Sequence, residues 1–157
     1  MPVMSGGIVP GAGELICEEM VFTQLAGTGG TYTASVTIPA NSWLYDIRVY
    51  AVALWNSGTS ASLQVGDATT ADGYYTAVDL LATDLLVGEV LSFDSPGGVE
   101  GALIVTASGL RNRMWSASER VITATVVEVT TTVVATGITH ILVIYTSSSN
   151  AGAATFA

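Results

Sequence analysis

The chain has 157 residues, half of them hydrophobic, but only 11% charged and with a formal net charge of -9. That length suits one domain with a sizeable core. The charged fraction is well under half of the ~25% usual in soluble domains, so Ser, Thr, Gly, Ala or partner chains must cover the surface. The four basic residues, Arg48, Arg111, Arg113 and Arg120, cannot neutralise a row of phosphates. Direct binding to nucleic acid or to an anionic membrane is therefore not expected.

Cys17 is the single cysteine, so no internal disulfide can form, as suits a reducing compartment. The N-terminus has neither a basic start nor a long apolar run, and the sequence has no uninterrupted apolar run of about 18 residues. Neither a signal peptide nor a membrane span is expected.

Residues 1–13 hold two Pro and four Gly beside Val3, Met4, Ile8 and Val9. This composition predicts a flexible or partner-ordered arm. In 14–25, Val21, Phe22 and Thr23 favour a strand from about 18 to 25. TYTASVTI (31–38) alternates, with Tyr32, Ala34, Val36 and Ile38 on the core side, and Pro39-Ala40-Asn41 ends it. WLYDIRVYAVALW (43–55) predicts a long strand whose uncharged face carries Trp43, Tyr45, Ile47, Val49, Ala51, Ala53 and Trp55. Trp43 and Trp55 are thereby assigned to the core, while Asp46 and Arg48, two apart on the opposite face, can pair with each other. Asn56-Ser57-Gly58 is a hairpin signal, and 59–67 returns with Ala61, Leu63 and Val65 inward.

Asp72-Gly73 marks a turn. Residues 74–81 fit either a short helix or an extended segment between sheets, and Asp84 can cap a following turn. Strands are predicted at 87–93 and, more weakly, at 101–107, then at 120–129 and 137–146. Residues 108–119 read as an exposed loop in which Arg111, Arg113, Met114 and Trp115 have the composition of an interface anchor. The end, 147–157, is of low complexity. The pattern predicts an all-β fold: a jelly-roll-like antiparallel β-sandwich of about eight strands over 14–146, with flexible N- and C-terminal arms (1–13 and 147–157).

No pattern carries chemistry. His140 sits within a β-branched strand far in sequence from Cys17; a strand histidine and a small apolar cysteine are the expected roles. There is no G-x-S-x-G elbow, phosphate loop, dinucleotide fingerprint or CxxC pair. Asp67, Asp72 and Asp79 form the densest acidic group, but their spacing does not match an EF-hand; turn formation is the expected role and a loose Ca²⁺ site between subunits the alternative. No catalytic, cofactor or metal residue is assigned, and the chain is read as not an enzyme.

Four blocks stand in order within residues 38–80: Ile38-Pro39 with Leu44, Asp46 and Ile47; Trp55-Asn56 with Gly58-Thr59; Leu63 with Val65-Gly66-Asp67; and Asp72-Gly73-Tyr74 with Asp79-Leu80. This run, about a third of the chain, resembles a segment of structural proteins of tailed bacteriophages and related gene-transfer particles. The resemblance implies a jelly-roll-like virion protein, most simply a head decoration (cement) protein. Such a protein would be made in the host cytoplasm. It would sit on the capsid exterior as a symmetric homo-oligomer, with a trimer favoured, and bind the major capsid protein. The expected contact residues are Val3, Met4, Ile8, Val9, Arg111, Arg113, Met114 and Trp115. A head spike or fibre base, a tail component, and a carbohydrate- or receptor-binding module are the alternatives.

Overall fold

The computed structural model describes residues 14–27, 29–104, 111, 114–130 and 134–147. They form nine strands and no helix: β1 (Glu14–Thr23), β2 (Gly30–Ile38), β3 (Ser42–Ala53), β4 (Ser60–Asp67), β5 (Tyr75–Asp79), β6 (Val90–Leu91), β7 (Trp115–Ser116), β8 (Arg120–Val129) and β9 (Ile138–Ser147). One sheet has the order β1-β9-β3-β6, with β7 also on β3, and the other has the order β2-β8-β4-β5. All strand pairings are antiparallel.

With the two-residue β7 set aside, the pairings nest: β1 with β9, β2 with β8, β3 with β6 and β4 with β5. The chain is thus one long hairpin bent at residues 68–74. It is rolled up until β9 also meets β3 and β8 also meets β4. That is jelly-roll topology, an eight-stranded double-sheet architecture.

Alternation in the sequence sets the faces. Ile122, Ala124 and Val126 of β8, Ile141, Val143 and Tyr145 of β9, and Ala61, Leu63 and Val65 of β4 all point between the sheets. Tyr74, Leu80, Leu85, Phe93 and Leu103 close the core from the connections. Tyr75 is fully buried and donates to the Ile47 carbonyl at 2.7 Å, which joins the sheets across the core.

Several sequence expectations change. In β3 the register jumps between Leu44 and Asp46, so Tyr45 is an extra, bulged residue. The bulge inverts the alternation: Leu44 and Ile47 both point inward, while Trp43 is 48% and Tyr45 52% exposed. Trp43 and Tyr45 therefore leave the core face expected of them, whereas Trp55 stays inside at 2%. Asn56-Ser57-Gly58 is not a hairpin, because β3 and β4 lie in different sheets. It is a crossover, tied to the loop after β8 by Gly58 N–H donating to the Thr130 carbonyl at 2.9 Å.

Residues 75–79 form a strand paired with β4 rather than a helix. Asp84 caps backwards, accepting from Asp79 N at 2.7 Å. Of 87–93 only Val90–Leu91 is a strand, and Val87 makes an isolated parallel bridge to Ala51. Residues 102–104 form a turn, with Ile104 N donating to the Gly101 carbonyl at 3.0 Å, where a weak strand was expected. β1 starts at Glu14, earlier than expected, because β9 pairs with it along its whole length.

Candidate interaction surfaces

Residues on the outer face of the β1-β9-β3 sheet stand in rows given by the register. One row runs Trp115–Trp43–Thr146–Leu15. Its strands are spaced about 4.8 Å apart. Leu15, Trp43 and Trp115 are 62%, 48% and 53% exposed, and Tyr45 lies alongside. Trp115 is held there because Leu44 N donates to the Met114 carbonyl at 2.7 Å, which seats β7 on β3. The bulge supplies the other half, turning Tyr45 outward while Leu44 stays inward.

The expected interface residues separate. Trp115 is exposed in this row. Met114 is buried and belongs to the core, so the loop there is not wholly exposed. Arg111 pairs with Asp94 and lies 5.6 Å over the Phe93 ring. Val3, Met4, Ile8, Val9 and Arg113 lie outside the described residues. Arg120 is buried, donating to Tyr74 OH at 3.1 Å and to the Met114 carbonyl at 3.3 Å. Trp43, Tyr45 and Leu15 were missed because their exposure depends on the bulge and on β1 starting early.

Further along the same face, His140 Nδ1 lies 2.6 Å from Glu19 Oε1, and Tyr50 stacks on the imidazole with centroids 5.0 Å apart. Tyr50 OH also donates to Glu19 at 3.4 Å. The hydrogen bond from His140 is the main reason the Glu19 carboxyl sits below the usual glutamate range. Desolvation first, and then the Glu19 charge, raise the Tyr50 phenol. Cys17 is exposed and stands opposite Ile144, four residues along β9 from His140. At the strand rise that is on the order of 13 Å, so the two do not form a dyad. Arg48 and Asp46 do pair, at 2.9 Å.

The acidic group serves turns. Asp67 accepts from Thr69 N and Thr70 N at 2.9 and 3.1 Å, and Asp79 accepts from Leu81 N at 2.8 Å. Among the described residues, no three of His, Cys, Asp and Glu come together as a metal would require.

The densest buried polar network lies at one end of the sandwich and had no sequence signal. Gln24 Oε1 accepts from the backbone N–H groups of Asn56, Thr136 and Gly137 at 3.3, 3.2 and 3.0 Å. Its amide donates to Glu128, which also accepts from Ser57 Oγ at 2.6 Å and Tyr32 OH at 3.0 Å. The network joins the end of β1, the β3–β4 crossover and the segment before β9. Its role is to fasten connections.

No protein-family model matches the chain, and no curated protein does. The fold is similar to a chain in the acidic stable capsid structure of Helicobacter pylori bacteriophage KHP30, with a TM-score of 0.55 and 16% identity. The match covers 86% of this chain and 89% of that one. At that identity what the two chains share is a fold, over nearly the whole of each.

Proposed function

We propose that this chain is a non-enzymatic structural protein of a phage virion. In this reading it is a capsid decoration (cement) protein that binds the major capsid protein on the head exterior and stabilises the shell as a symmetric homo-oligomer, a trimer. The observation that carries the reading is the jelly roll it shares with a phage capsid chain over 86% of its length. The exposed row of Trp115, Trp43 and Leu15, with Tyr45 beside it, supports an assembly role. Aromatic anchors of this kind dominate protein interfaces, and here they serve as the face that meets the capsid.

The test is binding to shells assembled from the major capsid protein of the same genome. The wild-type chain should bind and raise the temperature at which the shells open. Trp43→Ser with Trp115→Ser should lose binding while keeping the fold, since both side chains are about half exposed. Shells that neither bind the wild-type chain nor gain heat resistance would overturn the reading. A second reading, a glycan-binding module, is favoured by a shallow groove on the same face where Tyr45 meets Asp46, Arg48 and Asp94. Glycan-array binding that is lost with Tyr45→Ala, together with no shell binding, would put this reading in place of the first.

A further inference from the structure

The four sheet edges are not equally protected. An open strand edge is a template for pairing, and proteins blunt it with charge, bulges, short strands or a covering segment. β1 carries Glu14, Glu18 and Glu19 within ten residues. β5 is covered by the segment after Pro96: Thr76 N donates to the Val99 carbonyl at 2.9 Å, Gly101 N donates to the Tyr74 carbonyl at 2.8 Å, and Tyr75 bridges to Glu100. β6 is only two residues long.

Among the described residues, β2 has none of these devices. Its nine residues, GTYTASVTI, contain no charge and no proline. They run against β8 from Gly30 to Ile38 without a bulge. Among the described residues no strand pairs with the outer side of β2. The outer face of its own sheet is also neutral. The outward residues of β2, β8 and β4 are Thr, Ser, Val and Gln, such as Thr33, Ser35, Thr123, Thr125, Ser62 and Gln64. On a chain of net charge -9, a second copy that extends this face meets no like charge on it, and the carboxylates of β1 stand on the edge of the other sheet.

We infer that two copies of this chain join through antiparallel β2–β2 pairing about a twofold axis, which makes one continuous eight-stranded sheet from two four-stranded ones. A twofold through Ala34, the midpoint of the strand, sets Thr33 of one copy beside Ser35 of the other. The contact is isologous, so it closes on itself. It goes beyond the proposed function, because a twofold contact is not the trimer's own interface, and it is separate from the aromatic capsid-facing row. Around a threefold oligomer it would link neighbouring oligomers.

The experiment is sedimentation velocity over a wide concentration range, with circular dichroism to check folding. Thr33→Lys with Ser35→Lys places like charges across the twofold and should weaken this twofold step of association by about tenfold or more. Thr123→Lys, on the same face but one strand inward, should leave it unchanged. In a Cys17→Ser background, an equal mixture of Thr33→Cys and Ser35→Cys chains should form an interchain disulfide on mild oxidation, and a mixture of Thr33→Cys and Thr123→Cys chains should not. A twofold step of association that survives the double Lys variant, or that Thr123→Lys abolishes equally, would overturn the β2 contact while leaving threefold oligomerisation intact. A chain that shows no twofold step at any concentration, with no Thr33→Cys to Ser35→Cys crosslink, would overturn it as well. Failure to bind shells would leave the inference untouched and count only against the virion reading.

Discussion

Trp55 is the side chain on which the packing can be tested most sharply. It is 2% exposed, and its Nε1–H donates to Thr139 Oγ1 at 3.0 Å. Tyr32 meets its ring edge-on, with centroids 5.3 Å apart. Gly137 lies so close that an added Cβ would stand 2.5 Å from Trp55 Cγ. Trp55→Ala should cost about 3–5 kcal/mol, the range for emptying a buried aromatic site. Against a typical total of ~5–15 kcal/mol that is a large part of the stability. Trp55→Phe keeps most of the apolar volume and loses the donor to the fully buried Thr139, so it should cost about 1–3 kcal/mol. Gly137→Ala alone should also destabilise, by about 1–3 kcal/mol, through overpacking. Combined with Trp55→Ala, its methyl enters the space the indole leaves, so the two costs should be far from additive. Equilibrium urea unfolding reads all four variants, provided the m-value stays constant. A Trp55→Ala cost under about 1 kcal/mol, or simple additivity with Gly137→Ala, would refute this account of the core.

Gln24→Ala removes the acceptor of three backbone N–H groups and a donor to Glu128, so about 2–4 kcal/mol should be lost in the same assay. A change under about 0.5 kcal/mol, the usual range for a surface site, would show that the network does not hold the crossover. Gly66→Ala would put a Cβ 2.1 Å from the Thr70 carbonyl oxygen, inside the β4–β5 connection. It should cost about 3 kcal/mol, the upper end for overpacking, and Gly30→Ala, where the space is open, serves as the neutral control. The Glu19 carboxyl should titrate below the ordinary glutamate range by carboxyl-carbon NMR, and His140→Ala should move its midpoint upward. Because the folded-state pKa is the lower one, the stability linked to Glu19 is present above the unfolded-state value and is lost as pH falls through the folded one. An unchanged midpoint in His140→Ala would show that the imidazole is not the cause.

The sequence by itself determined the class of fold and most of its strands. The alternation of Tyr32, Ala34, Val36 and Ile38 and the β-branched runs at 120–129 and 137–146 place their residues correctly, because strand periodicity is a local property. It also placed Trp115 at the surface and marked Asp67 and Asp79 as turn residues. What only the tertiary structure decided is long-range. Whether Asn56-Ser57-Gly58 makes a hairpin or crosses between sheets depends on which strand each arm pairs with, and local turn chemistry is the same in both cases. One bulged residue, Tyr45, reverses the facing of everything before it in β3, and a pattern count has no way to detect the extra residue. That reversal moves Trp43 and Tyr45 from the expected core to the surface, and with Trp115 and Leu15 they make the aromatic row. Gln24 and Glu128 stand 104 positions apart and look like ordinary surface residues in the sequence. Only the rolled-up topology buries them against each other, because it brings the end of β1, the crossover and the end of β8 to one corner of the sandwich.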